Sequence, residues 1–133
     1  MRIEKFGHCR GGELVWAFYE ETGEIAVRVV WNDGTPEATL TVCPPLGTRL
    51  AGPHEIWVKS WSENQGAGLA VIRDGIADAT EVHCQCGYSV AGLYQLTPEA
   101  VAEMQDAFRR DPDMATAQEQ ARHKAEARHG LSS

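Results

Sequence analysis

The side chains with the most chemistry in this 133-residue chain are its cysteines and histidines. Cys9, Cys43, Cys84 and Cys86 could offer four thiolates, with His8, His54 and His83 as spare nitrogen donors. Four soft ligands around a tetrahedral point are what structural zinc takes. Cys84 and Cys86 share a face if both lie on a strand, because side chains alternate along it. The wider spacing argues against zinc. Structural sites usually pair cysteines across roughly two to four residues, whereas here one C-x-C stands with two isolated cysteines, and small thiols are common core fillers. The expectation is therefore no cofactor, with zinc on Cys9, Cys43, Cys84 and Cys86 as the competing reading.

Nucleophilic catalysis would need a base beside a thiol, and His83 precedes Cys84 directly. Neighbours on a strand point to opposite faces, so that pair does not make a dyad unless the strand is broken. The acid pairs Glu20 with Glu21 and Asp74 with Asp78 fall at turn or cap positions, where solvent is the ordinary environment. No phosphate loop or nucleophile elbow occurs. The expectation is a protein that is not an enzyme, the alternative being a zinc-stabilised module or small cysteine-dependent enzyme using the Cys84/Cys86 region. A binding surface is the third possibility. Trp57, Lys59 and Trp61 alternate along one strand and so share a face, followed directly by Glu63 and Asn64. That face is either a recognition surface or, the favoured expectation, one covered by the C-terminal helix.

The elements that would position these residues follow from periodicity. Residues 13–20 and 24–31 are rich in aromatic and β-branched types and are joined by Glu21-Thr22-Gly23, which predicts a hairpin. After the turn Asn32-Asp33-Gly34-Thr35-Pro36, residues 38–42 resume a period of two. Pro44-Pro45 and Gly52-Pro53 bracket a loop before a fourth strand, 55–61. Ser62 and Gln65 match a capping box, and Leu69, Ala70, Ile72 and Val71 would give a short helix its buried face. Gly66 and Gly68 suggest a close packing partner, and Gly75 sits where a left-handed C-terminal cap belongs. Strands over 76–83 and 88–96 complete an α+β fold, a mainly antiparallel sheet in the order ββββαββ.

Thr97-Pro98-Glu99 starts a helix with Val101, Met104 and Phe108 on its apolar face. Asp111-Pro112 ends it, and a second helix from Asp113 to Arg128 carries only Met114, Ala117, Ala121 and Ala125 as a stripe, with Gly130 as a stop. The expected organisation is an α+β core domain over 1–96 and a C-terminal helical extension over 97–133. That extension is either solvated, docked on the core, or paired with a second copy through its alanine seam.

Over residues 13–98 the chain resembles a family of small uncharacterised proteins of bacteria, their plasmids and phages. The strand Glu37–Val42, the strand end Leu93–Leu96 and above all Trp57-Val58-Lys59-Ser60-Trp61-Ser62-Glu63-Asn64-Gln65-Gly66 carry the resemblance. The last run is similar to that family's W-V-K-x-W-S-E-N-x-G pattern. Cys84 and Cys86 lie outside it. The resemblance implies a mobile-element setting and no agreed activity.

Nineteen acidic residues against twelve basic give a net charge of -7. Such a surface repels phosphate backbones and favours basic patches on other proteins. Neither a signal peptide nor a run of roughly 20 apolar residues is evident. The expectation is a cytoplasmic protein with a protein partner, no nucleic acid and no membrane. Its sharpest form is an inhibitor of a host defence complex, anti-CRISPR or anti-restriction.

Overall fold

The computed structural model describes residues 1–131. Seven strands and three helices follow in the order β1 (Arg2–Phe6), β2 (Cys9–Phe18), β3 (Ile25–Trp31), β4 (Ala38–Thr39), β5 (Glu55–Val58), α1 (Ala67–Arg73), β6 (Ala77–Cys86), β7 (Ser89–Leu96), α2 (Pro98–Arg110) and α3 (Pro112–Leu131). This is the α+β antiparallel architecture expected, with one strand more. The strands form a four-stranded sheet, β1-β2-β3-β4, and a three-stranded sheet, β5-β7-β6.

The predicted hairpin is present as β2 and β3, in register from Gly12 opposite Trp31 to Phe18 opposite Ile25. Its turn closes on Gly23, whose φ of 73° is the left-handed conformation that glycine adopts without a Cβ penalty. The two sheets are stitched by residues 40–42. Leu40 donates to the Val27 carbonyl, Lys59 donates to the Leu40 carbonyl, and Val42 donates to the Trp57 carbonyl. The buried Thr41 hydroxyl accepts the Val27 amide and pairs with the Tyr19 hydroxyl, so a side chain replaces a ladder bond there.

Strand β6 is interrupted. Ala79 pairs with Tyr94 and His83 with Gly92, which leaves residues 80, 81 and 82 opposite Leu93 alone. Glu81 takes a φ of 69° in this bulge, and the Thr80 hydroxyl donates to the Leu93 carbonyl while accepting the Val82 amide.

One main core lies between the four-stranded sheet, α1 and α2. It includes Ile3, Trp16, Val27, Val29, Ile56, Val71, Met104 and Phe108, with Phe6 edge-on to Trp31 at 5.1 Å between ring centroids. Burying Met104 and Phe108 stabilises by about 1.5–3 kcal/mol each. The first turn of α2 is capped as expected, Thr97 accepting the Ala100 amide, and the Thr97 hydroxyl donates to the Gly75 carbonyl at the end of α1.

Three local expectations are corrected. Ser62 and Gln65 do not form a side-chain capping box: Ser62–Asn64 is a single 3-10 turn, Ser62 has a φ of 58°, and α1 begins after Gly66, which has a left-handed φ of 86°. The buried face of α1 is Ala67, Gly68, Ala70 and Val71, with Leu69 and Ile72 in solvent. Of the two glycines, Gly68 has the close partner, since a Cβ there would come 2.4 Å from the Tyr94 hydroxyl, whereas Gly66 faces open space. The C-terminal cap is as expected: Gly75 donates to Ile72 and Ile76 to Val71, the two bonds of a Schellman end.

α3 docks on its own chain. Gln118 and Arg128 donate to the carbonyls of Gly23 and Glu21, Ala125 is buried, and Met114 and Ala115 pack against the main core. Ala117 is exposed. Asp111 caps this helix by accepting the Met114 amide, and the helix runs through Gly130 to Leu131 where a stop was expected. No helix among the described residues is long and apolar enough to cross a membrane.

Candidate functional site

Trp57 is 2% exposed, and it does not face outward under the C-terminal helix as expected. It anchors a second, smaller core on the other face of the three-stranded sheet with Ala51, Ala91 and Leu93, bordered by Val42, Trp61, Cys84 and Cys86. Neither α2 nor α3 contributes to that cluster; Val42 and Ala51 pack on it from outside the three-stranded sheet. Trp61 is half-buried at the margin, with the Lys59 ammonium 6.0 Å from its ring centroid.

Lys59 donates to Glu63 at 2.6 Å, and that bond, with help from the local backbone and Ser62, lowers the Glu63 carboxyl to about 2. Asn64 is fully buried: its amide donates to the Thr39 carbonyl at 2.6 Å. Gln65 offers its carbonyl to the Gly7 amide, and a Cβ on Gly7 would come 2.5 Å from the Glu63 carbonyl oxygen. The W-V-K-S-W-S-E-N-Q-G run is thus a joint. Trp57 fills one core while Asn64 and Gln65 fasten the following turn to β4 and to the β1–β2 turn.

Of the four cysteines, Cys84 and Cys86 are brought together. Cys84 and Cys86 share the Trp57 face of β6, with their sulfurs 3.6 Å apart. Burial, then the bond and charge of Cys86, push the Cys84 thiol up to about 12. Cys43 lies within electrostatic reach of Cys86, and its thiol is raised by burial and by the charges of Glu24 and Glu21. Cys9 is elsewhere, on β2 opposite Phe6 and packed against the main core. Among the described residues no three His, Cys, Asp or Glu side chains are arranged to hold a metal ion. His83 pairs with Gly92, on the face opposite the thiols.

Glu24 is a residue that sequence reasoning missed. It is 2% exposed; one carboxylate oxygen accepts the Ala51 amide at 2.8 Å, and the other has no hydrogen-bond partner. An acid one residue past a turn glycine reads as solvated, and only the return of the 44–51 loop buries it. Glu24 also lines a cleft of about 460 Å³ between Pro44, Pro45 and Leu50 on one side and Ala125 of α3 on the other.

Of the seven large apolar side chains exposed among the described residues, Leu69, Ile72, Val82, Tyr88 and Val90 lie on α1 and the β6–β7 hairpin, while Val30 and Leu46 lie elsewhere; Tyr88 at the hairpin turn is fully exposed. β6 forms the edge of its sheet and presents Asp78 and Glu81 to solvent. What fold and sites define together is an antiparallel α+β protein with a buried tryptophan joint, a thiol pair and an apolar hairpin end. No family model, curated protein or solved structure matches the chain.

Proposed function

We propose that this chain is a non-catalytic protein-binding module that contacts its partner through the end of the β6–β7 hairpin. The observation that carries the reading is Tyr88, wholly exposed at the turn, with the exposed Val90 two residues further on β7. Clustered exposed apolar side chains are the usual mark of a contact surface, and tyrosine is favoured in such positions. The neighbouring Asp78 and Glu81 and the net charge of -7 suit a partner with a basic rim, and neither suits nucleic acid. A Cys–His nucleophile pair is disfavoured because His83, the neighbouring imidazole, lies on the opposite face of β6 from Cys84.

The mobile-element setting implied by the W-V-K-x-W-S-E-N-x-G resemblance points the search at host defence complexes, with the protein acting as an inhibitor. The test compares the wild type with Tyr88→Ala/Val90→Ser as baits in host lysate. Recovery of a nuclease, surveillance or restriction component by the wild type, lost with the variant at unchanged melting temperature, is the expected result. Recovery of the same proteins by both baits, or of none by either, refutes the reading.

A further inference from the structure

We propose that Cys84 and Cys86 form a thiol-exchange site that takes low-molecular-weight disulfides as its oxidising substrate and closes to an intramolecular Cys84–Cys86 bridge. Three observations place it there. The two sulfurs are 3.6 Å apart on one face of β6, already at contact distance. Both side chains are half-buried, which leaves a path for a small disulfide. The pair sits between two breaks in regular strand geometry: the 80–82 bulge lies before it, and Gly87, with a left-handed φ of 64° and open space around it, lies directly after it.

The surroundings favour this product over a metal thiolate. Among the described residues no third His, Cys, Asp or Glu side chain is placed with the pair to complete a metal site. A disulfide is neutral and apolar. Cys43 is not among the residues of the buried cluster that the pair borders.

The exchange balances in two steps. The Cys86 thiol gives its proton to water and its sulfur attacks one sulfur of the disulfide RSSR; the S–S bond breaks, and RS⁻ leaves with the electron pair and is protonated to RSH. Cys84 then loses its proton and attacks the Cys86 sulfur of the mixed disulfide, releasing the second RSH. The protein loses two electrons and two protons, and RSSR gains them. Cys86 is assigned the first attack because it lies next to the hairpin turn, where Gly87 has open space around it. This site stands independently of the hairpin-contact reading.

The test is titration of the reduced, folded protein with oxidised glutathione at neutral pH, followed by acid quenching, intact mass and peptide mapping. The wild type is expected to lose two of its four thiols. The bridge should link residues 84 and 86 without a lasting glutathione adduct, and Cys9→Ser/Cys43→Ser should behave the same way. Cys84→Ser should instead retain one glutathione on Cys86. Tryptophan emission should fall with bridge formation in the wild type, since both thiols border Trp57 and Trp61. Persistence of all four thiols overturns the inference. So does a bridge that includes Cys43 or Cys9, or a wild-type adduct as durable as that of Cys84→Ser.

Discussion

Replacing Gly23 by alanine tests whether α3 is fastened to the β2–β3 turn. Two costs act at this position. The backbone sits at a φ of 73°, which costs an alanine about 1–2 kcal/mol relative to glycine. The new methyl would also come 2.4 Å from the Arg122 backbone nitrogen and 2.6 Å from its Cα, and a helix backbone cannot rotate away as a side-chain tip can. Overpacking of this kind adds about 1–3 kcal/mol, and it is limited above by the free energy of docking α3, because the helix can be displaced. Gly34→Ala supplies the control: its φ is 82°, and nothing lies within 4 Å of its Cβ position. Urea unfolding should give about 1–2 kcal/mol for Gly34→Ala and at least about 1 kcal/mol more for Gly23→Ala. Limited trypsin digestion should cut faster after Arg122 and Lys124 in the Gly23 variant alone. Equal unfolding costs with identical digestion would mean that α3 does not rest on that turn.

Asn64→Ala removes the amide that serves the Thr39 carbonyl at the joint and should cost about 1–3 kcal/mol by urea unfolding; Asn64→Asp should cost more, since a carboxylate would face that carbonyl. Leu93→Ala opens a cavity beside Trp57 and should cost about 2–5 kcal/mol, whereas Leu69→Ala, 78% exposed, should stay within about 0.5 kcal/mol, read in the same assay. The Glu63 carboxyl, lowered to about 2 chiefly by the hydrogen bond from Lys59, has a folded value below its ordinary 4.5. Its contribution is present above about pH 4.5 and is lost as pH falls through about 2. A carboxyl-carbon NMR titration should show that low midpoint, and Lys59→Met should return it toward the ordinary range.

The sequence is legible where one element carries its own signal. Glu21-Thr22-Gly23 between two β-branched runs specifies the β2–β3 hairpin, and Thr97-Pro98-Glu99 specifies the start of α2. The shared face of Cys84 and Cys86 is legible only on condition that both lie on a strand: the expected strand stops at His83 with residues 84–87 as the divider, whereas β6 runs through Cys86. Strand β1 escapes notice because its buried residues, Ile3 and Phe6, are three apart and its other positions are charged or exposed. The capping-box pattern at Ser62 and Gln65 misleads because Gln65 is engaged through its backbone with Gly7, a contact 58 residues away in the chain that no local pattern contains. Trp57 reads as outward for a related reason: the expected strand over 55–61 ends at Val58, and within it alternation separates Ile56 and Val58 from Trp57 yet says nothing about whether the second face is also buried. Here Val42 and Ala51 pack against it, and the Ala51 amide donates to the buried Glu24.

The extra residues of β6 have a consequence for how copies of this chain behave at high concentration. With three residues facing Leu93 alone and Glu81 turned to a left-handed backbone, the rim of the smaller sheet offers no long straight run of free amides and carbonyls to a neighbour. Excising residues 80 and 81 would straighten that rim into eight consecutive ladder positions and leave Cys84 and Cys86 facing Trp57 as before. The shortened protein should then polymerise by strand-to-strand stacking, a hazard that three irregular residues hold off in the natural chain.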